Sequence, residues 1–297
     1  MVKHNKIKLI HAQSLRGEYT AFFARAISFI SSDKVFLLTN RHNYFFLSCE
    51  PDFFWKNIFY FISCHLVDLN ICVANHLSSK LINDLNVSKR KVKTIFNGVK
   101  PRDTTPFDQK QSSRKTPVII YTGQLIERKN VICLLRALSL INLPYKCLIV
   151  GDGPEKARLH NFVKSNKLET KISFTQFTTD IDKYLAKADI FVLPSLAEGM
   201  SMSLLEAMSF GVACIVSDID ANKEIIIHQT NGLVFSLKLE RYDLYSKLLL
   251  LLNSRILRRK LGKKSIRSIN NKYSYSKILG KYLTLYNNFQ IPEMSNE

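Results

Sequence analysis

Acidic residues are scarce in this chain. Asp and Glu number 24 against 43 Lys and Arg, a formal net charge of +19 over 297 residues. Ten of the basic residues fall between Arg255 and Lys281, a span with no acid. Such an excess favours polyanions, either nucleic acid or an anionic membrane surface. No helix-turn-helix or ribonucleoprotein motif accompanies it, which turns the reading away from nucleic acid. A solvated basic helix face is the plainer alternative to membrane attraction.

Cysteine is equally uninformative as a scaffold. The six cysteines (Cys49, Cys64, Cys72, Cys133, Cys147 and Cys214) form no C-x-x-C pair, and several lie inside apolar segments. That excludes a zinc-finger pattern or a disulfide framework and fits reduced core residues of a cytoplasmic protein. The histidines other than His11 and His42 (residues 4, 65, 76, 160 and 228) show no metal-ligand spacing, and no DxD-like motif stands out. No secretory signal is evident at residues 1–5. No run reaches the roughly 20 apolar residues that a membrane span needs. The nearest approach, Phe53 to Val67, is aromatic-rich but broken by Lys56, Asn57 and His65. It reads as a packed helix of the first domain, with an interfacial helix as the sharper alternative.

What is present belongs to a globular α/β chain. The hydrophobic fraction is 46% and the charged fraction 23%. From Pro117 onward, continuous apolar strands alternate with amphipathic helices, the pattern of a parallel sheet covered on both faces. Strands are expected at Val118–Thr122, Cys147–Val150, Ile172–Phe174, Ile190–Leu193, Val212–Val216 and Leu233–Phe235. Earlier strands are expected at Ile7–Ile10, Val35–Leu38, Leu69–Ala74 and Val92–Phe96. The polar, proline-bearing stretch Lys100–Thr116 reads as a linker. This divides the chain into a first domain (residues 1–99), a linker (100–116), a second domain (117–288) and a polar tail (289–297).

The most telling stretch is Asp189 to Asp218. A buried strand ends at Pro194-Ser195, a loop carries Glu198-Gly199, and a helix starts near Ser201 or Ser203 and carries Glu206. Strand, glycine-bearing loop and helix start together make a phosphate site, because free backbone N–H groups and the positive helix end favour an anion. A bare phosphate site has no use for two carboxylates. Carboxylates accept hydrogen bonds from sugar hydroxyls, so a diphosphate flanked by two sugars, a nucleotide sugar, meets both demands. Taken singly, Glu198 is equally a solvated loop residue and Glu206 an ordinary helix residue.

This E-x7-E segment resembles the donor-binding signature of retaining glycosyltransferase family 4 (glycosyl transferases group 1), whose fold is GT-B. The resemblance extends to Tyr121-Thr122-Gly123-Gln124-Leu125-Ile126-Glu127-Arg128-Lys129-Asn130, to Leu148-Ile149-Val150-Gly151-Asp152-Gly153-Pro154, to Asn231-Gly232-Leu233-Val234-Phe235 and to Tyr273-Ser274-Tyr275 with its following helix. These motifs occur in the family's order over residues 117 to 288, and Asn97-Gly98-Val99 resembles its inter-domain triplet.

The resemblance implies a GT-B fold of two Rossmann-like parallel-sheet domains. The first would be incomplete, lacking the usual opening strand and glycine-rich loop. Such a sheet would expose an edge that a protein partner could cover.

The resemblance also implies residue roles. Lys129 would bind the diphosphate, with Gly123 bringing amides close. Gln124 stands where the family has arginine, and Arg128 would supply the missing charge. Glu198 would contact hydroxyls of the transferred sugar. Gly199, Met200, Ser201, Met202, Ser203 and Leu204 would offer backbone to the donor. Glu206 would hold the ribose, and Phe177 would lie near the base. His42, delivered by the strand in Val35–Asn43, would face the donor sugar; His11 ranks below it.

The implied reaction is transfer from a nucleoside diphosphate sugar, most simply a UDP-sugar, to a glycan or lipid-linked acceptor in cell-surface polysaccharide or lipopolysaccharide synthesis. The nucleotide sugar is a co-substrate, no metal or other cofactor is implied, and the expected location is cytoplasmic, with peripheral association at the cytoplasmic face of the inner membrane as the further option. The competing readings are a fragment that only binds donor, and an NAD-dependent oxidoreductase. The latter requires G-x-G-x-x-G, yet Gly151-Asp152-Gly153 is followed by Lys156.

Overall fold

The computed structural model describes residues 8–13, 17–18, 20–22, 24, 35–42, 53–102, 116–176, 178 and 180–288. Most of the expected linker, Phe177 and Cys49 therefore lie outside the described residues. The chain divides into two compact units, residues 1–97 with 276–297, and residues 98–275. The division falls inside the Asn97-Gly98-Val99 triplet.

The first unit holds a parallel sheet in the order β1-β2-β3-β4, with β1 at Leu9–Ala12, β2 at Phe36–Arg41, β3 at Leu69–Cys72 and β4 at Val92–Thr94. Helices α1 (Phe53–Leu66) and α2 (Asn75–Asn83) connect the later strands. α1 has two characters. Tyr60, Ser63 and Cys64 are buried, whereas Phe61, Ile62 and Leu66 are exposed. The buried face surrounds an ion pair, with Arg41 Nη1 donating to both carboxylate oxygens of Glu18 at 2.9 Å. The rest of the guanidinium donates to Asn70 (2.9 Å) and Ser63 (3.1 Å). A charge removed from water needs this degree of satisfaction.

The second unit holds a six-stranded, all-parallel sheet in the order β10-β9-β8-β5-β6-β7. Its strands are β5 (Val118–Thr122), β6 (Lys146–Val150), β7 (Ile172–Thr175), β8 (Ile190–Leu193), β9 (Ala213–Ser217) and β10 (Leu233–Phe235). β8 and β9 are buried along their whole length, as continuous Val, Ile, Leu and Ala runs require when helices cover both faces. Helices α3 (Val131–Leu138), α4 (Lys156–Ser165), α5 (Met202–Ser209), α6 (Glu240–Asn253) and α7 (Arg255–Ser268) supply that cover. The chain first steps outward from β5 to β6 and β7, then returns to place β8 on the other side of β5. That reversal between β5 and β8 is where ligands of such sheets bind, beyond the carboxyl ends of the strands.

The last helix, α8 (Tyr275–Asn287), was expected within the second domain. Its residues from Ser276 onward instead belong to the first unit. Tyr286 Oη lies 2.7 Å from His11 Nδ1, and Asn40 donates to Tyr282 Oη at 3.2 Å. His11 Nε2 in turn meets Asn40 Oδ1 at 3.0 Å. Two tyrosines one helical turn apart thus lock onto the strand ends of β1 and β2.

Candidate functional site

Two loops meet at the reversal between β5 and β8. The first leaves β5 at Gly123, forms a 3-10 turn at Glu127–Lys129, and enters α3 through Asn130 in a left-handed conformation (φ 50°). The second leaves β8 at Pro194 and enters α5 at Met202. A main-chain bond joins them, Leu196 N–H donating to the Arg128 carbonyl at 2.8 Å. Behind the first loop, the Gly123 amide donates to the Val150 carbonyl at 3.0 Å, and Leu125 to that of Asp152 at 2.8 Å. A side chain on Gly151 would collide with the Gly123 carbonyl oxygen, so only glycine lets these turns nest.

Charged side chains converge on the joined loops. Lys129 Nζ donates to Glu198 Oε1 at 2.6 Å, with their side chains only 13% and 7% exposed. Ser195 Oγ donates to the same oxygen at 2.6 Å. Arg128 Nη1 donates to the Ala197 carbonyl at 2.7 Å and stands 3.6 Å from Glu198 Oε2. Glu198 is therefore a shielded carboxylate facing two cations. Oε1 carries two donors, and Oε2 has only the looser contact with Arg128.

The next turn prepares a helix end. Ser201 caps α5, its Oγ accepting from Leu204 N–H at 3.3 Å and lying 3.0 Å from Ser203 Oγ. Gly199 and Met200 are buried beside it, and Met202 is exposed. Leu204 is fully buried, and its amide donates to the Ser201 cap. The remaining first-turn amides point off the helix end, where an anion is favoured.

Glu206, one turn on, is half-buried. Burial holds its carboxyl above the usual range; repulsion from Asp182 adds to this and the Arg102 guanidinium opposes it. Arg102 Nη2 pairs with Asp182 at 2.8 Å, and the guanidinium packs over the Phe210 ring at 5.6 Å. Neither Arg102 nor Asp182 carries a sequence signal.

Gln124 is exposed, and its carbonyl accepts from buried Tyr121 Oη at 2.8 Å. His42 is exposed at the end of β2, in the first unit. Ser195 is the contact that sequence reasoning missed. A serine at a buried strand end, three residues before the acid, was the available signal. Among the described residues no three or more His, Cys, Asp or Glu side chains form a metal-type cluster.

Parallel sheets in two units, a reversal between β5 and β8 and a lysine–glutamate pair at that point define the GT-B architecture. Anabaena Alr3699/HepE, solved in complex with UDP and glucose, superposes with a TM-score of 0.82 over 95% of this chain and 78% of its own at 17% identity. Residues 103–268 match the glycosyl transferases group 1 family, and the chain belongs to it. Among relatives, it is 26% identical to the N-acetyl-alpha-D-glucosaminyl L-malate synthase of Bacillus anthracis, over 72% of this chain and 59% of that protein. It is 32% identical to the UDP-Gal:alpha-D-GlcNAc-diphosphoundecaprenol alpha-1,3-galactosyltransferase of Escherichia coli, over 56% of this chain and 47% of that protein. The chain thus spans about half the length of these curated relatives.

Proposed function

We propose that this chain carries the donor site of a retaining glycosyltransferase of family 4. It would move a hexosyl or N-acetylhexosaminyl group from a UDP-sugar to a hydroxyl of a glycan or lipid-linked acceptor, in cell-surface polysaccharide or lipopolysaccharide assembly. The Lys129–Glu198 pair at the reversal between β5 and β8 carries the reading. It sets a cation for a diphosphate beside a carboxylate for sugar hydroxyls, next to a helix N-terminus. The E. coli relative, named for a UDP-Gal donor and a lipid-linked acceptor, supports the choice of substrates.

In the proposed reaction the bond between the anomeric carbon and the diphosphate oxygen breaks, and the acceptor oxygen bonds to the same face of that carbon. The acceptor proton passes to the departing diphosphate. Lys129, Arg128 and the first-turn amides of α5 hold the charge that develops on the leaving group. Lys129 releases Glu198 to do so, which frees the carboxylate for the sugar. Glu206 takes the ribose hydroxyls. This scheme gives the leaving-group charge to protein groups and assigns none of it to a metal ion. The basic face of α7 suits the surface of an anionic membrane, which would place the enzyme peripherally on the cytoplasmic side.

A thermal-shift panel with UDP, GDP, ADP and NADH, each with and without EDTA, tests the reading. Selective binding to the native state raises stability by about 2.7 kcal/mol at a hundredfold excess over Kd. EDTA-insensitive stabilisation by UDP, lost in Glu206→Ala and Lys129→Ala, is expected. Silence toward every nucleoside diphosphate in folded protein overturns the donor site. Donor binding without transfer to any acceptor identifies a donor-binding part only. NADH as the sole stabiliser turns the assignment to an oxidoreductase.

A further inference from the structure

Glu198 is held from below by a chain of groups that no part of the proposed chemistry uses. Ser195, Ser217 and Asn222 each show no solvent exposure. Asn222 Nδ2 lies 3.0 Å from Ser217 Oγ and 3.2 Å from the Ser217 carbonyl oxygen. Ser217 Oγ donates to the Ser195 carbonyl at 2.5 Å. Ser195 Oγ donates to Glu198 Oε1 at 2.6 Å. These residues come from separate places in the fold. Ser195 follows β8, Ser217 ends β9, and Asn222 sits in the one-turn helix Asp220–Lys223.

The direction of the chain is fixed by elementary rules. A backbone carbonyl only accepts, so the Asn222 amide must turn its nitrogen toward Ser217. That nitrogen also satisfies the Ser217 hydroxyl oxygen, whose proton is then free for the Ser195 carbonyl. A carboxylate only accepts, so the Ser195 proton goes to Glu198. Ser217 and Asn222 thus fix the backbone at Ser195 through its carbonyl, and the hydroxyl of the residue so fixed is aimed at the acid. The asparagine Oδ1 is buried without a partner, so the amide is held by its nitrogen alone.

We infer that Ser195 is a positioning residue for Glu198, backed by Ser217 and Asn222, and that this relay reserves Glu198 Oε2 for a sugar hydroxyl. Oε1 is saturated by Ser195 and Lys129. When Lys129 turns to a diphosphate, Ser195 stays as the short hydrogen-bond donor to the carboxylate, beside the looser 3.6 Å contact with Arg128. The relay thus acts at the step in which the lysine leaves, and it serves recognition of the transferred sugar, not of the nucleotide. This inference rests on the donor reading above.

The test compares Kd for UDP with Kd for UDP-glucose, UDP-galactose and UDP-N-acetylglucosamine in wild type, Ser195→Ala, Ser195→Thr and Ser217→Ala. The expected result is a tightening on adding the preferred sugar to UDP in the wild type. Ser195→Ala loses most of that gain, about tenfold, and keeps its UDP affinity within about twofold. Ser195→Thr, which retains the hydroxyl, restores the gain, and Ser217→Ala shows a smaller loss in the same direction. The inference is overturned by a Ser195→Ala protein that keeps the sugar gain, by equal losses for UDP and UDP-sugar, or by a wild type that binds UDP and gains from no sugar. If Ser195→Ala fails to fold, Ser217→Ala and Ser195→Thr decide, and unchanged sugar gain in Ser217→Ala overturns the relay. A wild type that binds no nucleoside diphosphate overturns the donor reading instead.

Discussion

Lys129 and Glu198 lie 69 positions apart and meet at 2.6 Å, with little of either side chain exposed. Each therefore masks the group the other would offer to a ligand. Lys129→Ala should lower transfer by about 10²–10³-fold. It also leaves a shielded carboxylate with fewer partners, at a stability cost of about 1–3 kcal/mol. Glu198→Gln keeps the shape and relieves the charge. The double variant should then be less destabilised than the sum of the two, which denaturant unfolding of all four proteins measures.

Glu206 gives the site a pH signature. Burial, and then Asp182, raises its pKa, with Arg102 opposing. The folded state thus holds this proton more tightly than the unfolded chain. Its contribution to stability is present below the ordinary carboxylate pKa and lost as pH rises through the raised value. In the proposed donor site nucleotide binding would run the other way, because an ionised Glu206 would be the better acceptor for ribose hydroxyls. UDP affinity should rise with pH through that window, and Glu206→Gln should flatten the profile. Calorimetric titrations across the acid range read both.

The nested turns after β5 and β6 set a strict steric limit. Gly151→Ala places a methyl group against the Gly123 carbonyl at a positive φ. A loss on the order of 3 kcal/mol is expected from strain and overpacking together. Displacement of Gly123 should weaken UDP binding as well. Chemical denaturation and UDP titration of the variant check the two effects.

His11 should make the first unit sensitive to acid. Burial lowers its pKa, the Asn40 hydrogen bond opposes this, and His42 adds a small further lowering. The groups that face it are Tyr286, Tyr282, Asn40, Gln13 and His42, none of them a carboxylate. The unfolded chain therefore binds the proton more readily, and stability drops as pH falls from about 6.5 toward the lowered value. His11→Gln should remove that slope. Tyr286→Phe should cost about 1 kcal/mol at neutral pH. Thermal unfolding at a series of pH values tests both.

Ile256 is 83% exposed on α7, and Lys260, Lys263, Lys264 and Arg267 are exposed on the following turns. Spacings of four, seven, eight and eleven residues put them on one helix face. Vesicles containing phosphatidylglycerol should retain the protein at low salt and release it near 1 M salt, where the Debye length is about 3 Å. Replacing the four cations with glutamate should abolish retention and leave UDP binding intact. Equal retention on neutral phosphatidylcholine vesicles would refute the electrostatic account.

The second sheet was legible because its inner strands are buried on both faces. Ile190–Leu193 and Leu233–Phe235 read as unbroken apolar runs and occupy the strands found. Val118–Thr122 also matches the strand found, and the other strands shift by one to a few residues at the ends, where backbone pairing decides the limit and apolar character does not. The loops carrying Lys129 and Glu198 were legible through glycines and charges in a fixed order.

Two things were not legible. Nothing local in Tyr275–Asn287 shows that Tyr282 and Tyr286 answer to Asn40 and His11, more than 240 positions away. Nothing local marks Arg102 and Asp182 as neighbours of Glu206 either. These relationships arise from packing between distant elements, for which no short-range pattern exists.

The buried cysteines give the molecule a built-in clock. Cys64 and Cys72 lie in the first unit, and Cys133, Cys147 and Cys214 in the second. Burial pushes the first two thiols up to about 11 and Cys133 to about 12, with Cys147 and Cys214 higher still. Alkylating reagents attack the thiolate, so each of these sulfurs is inert until its surroundings open. A mass spectrum of the protein after timed exposure to such a reagent would therefore date the opening of each unit separately, with no probe engineered into the chain. Donor binding should slow the Cys133, Cys147 and Cys214 readings and leave the other two running at their own pace.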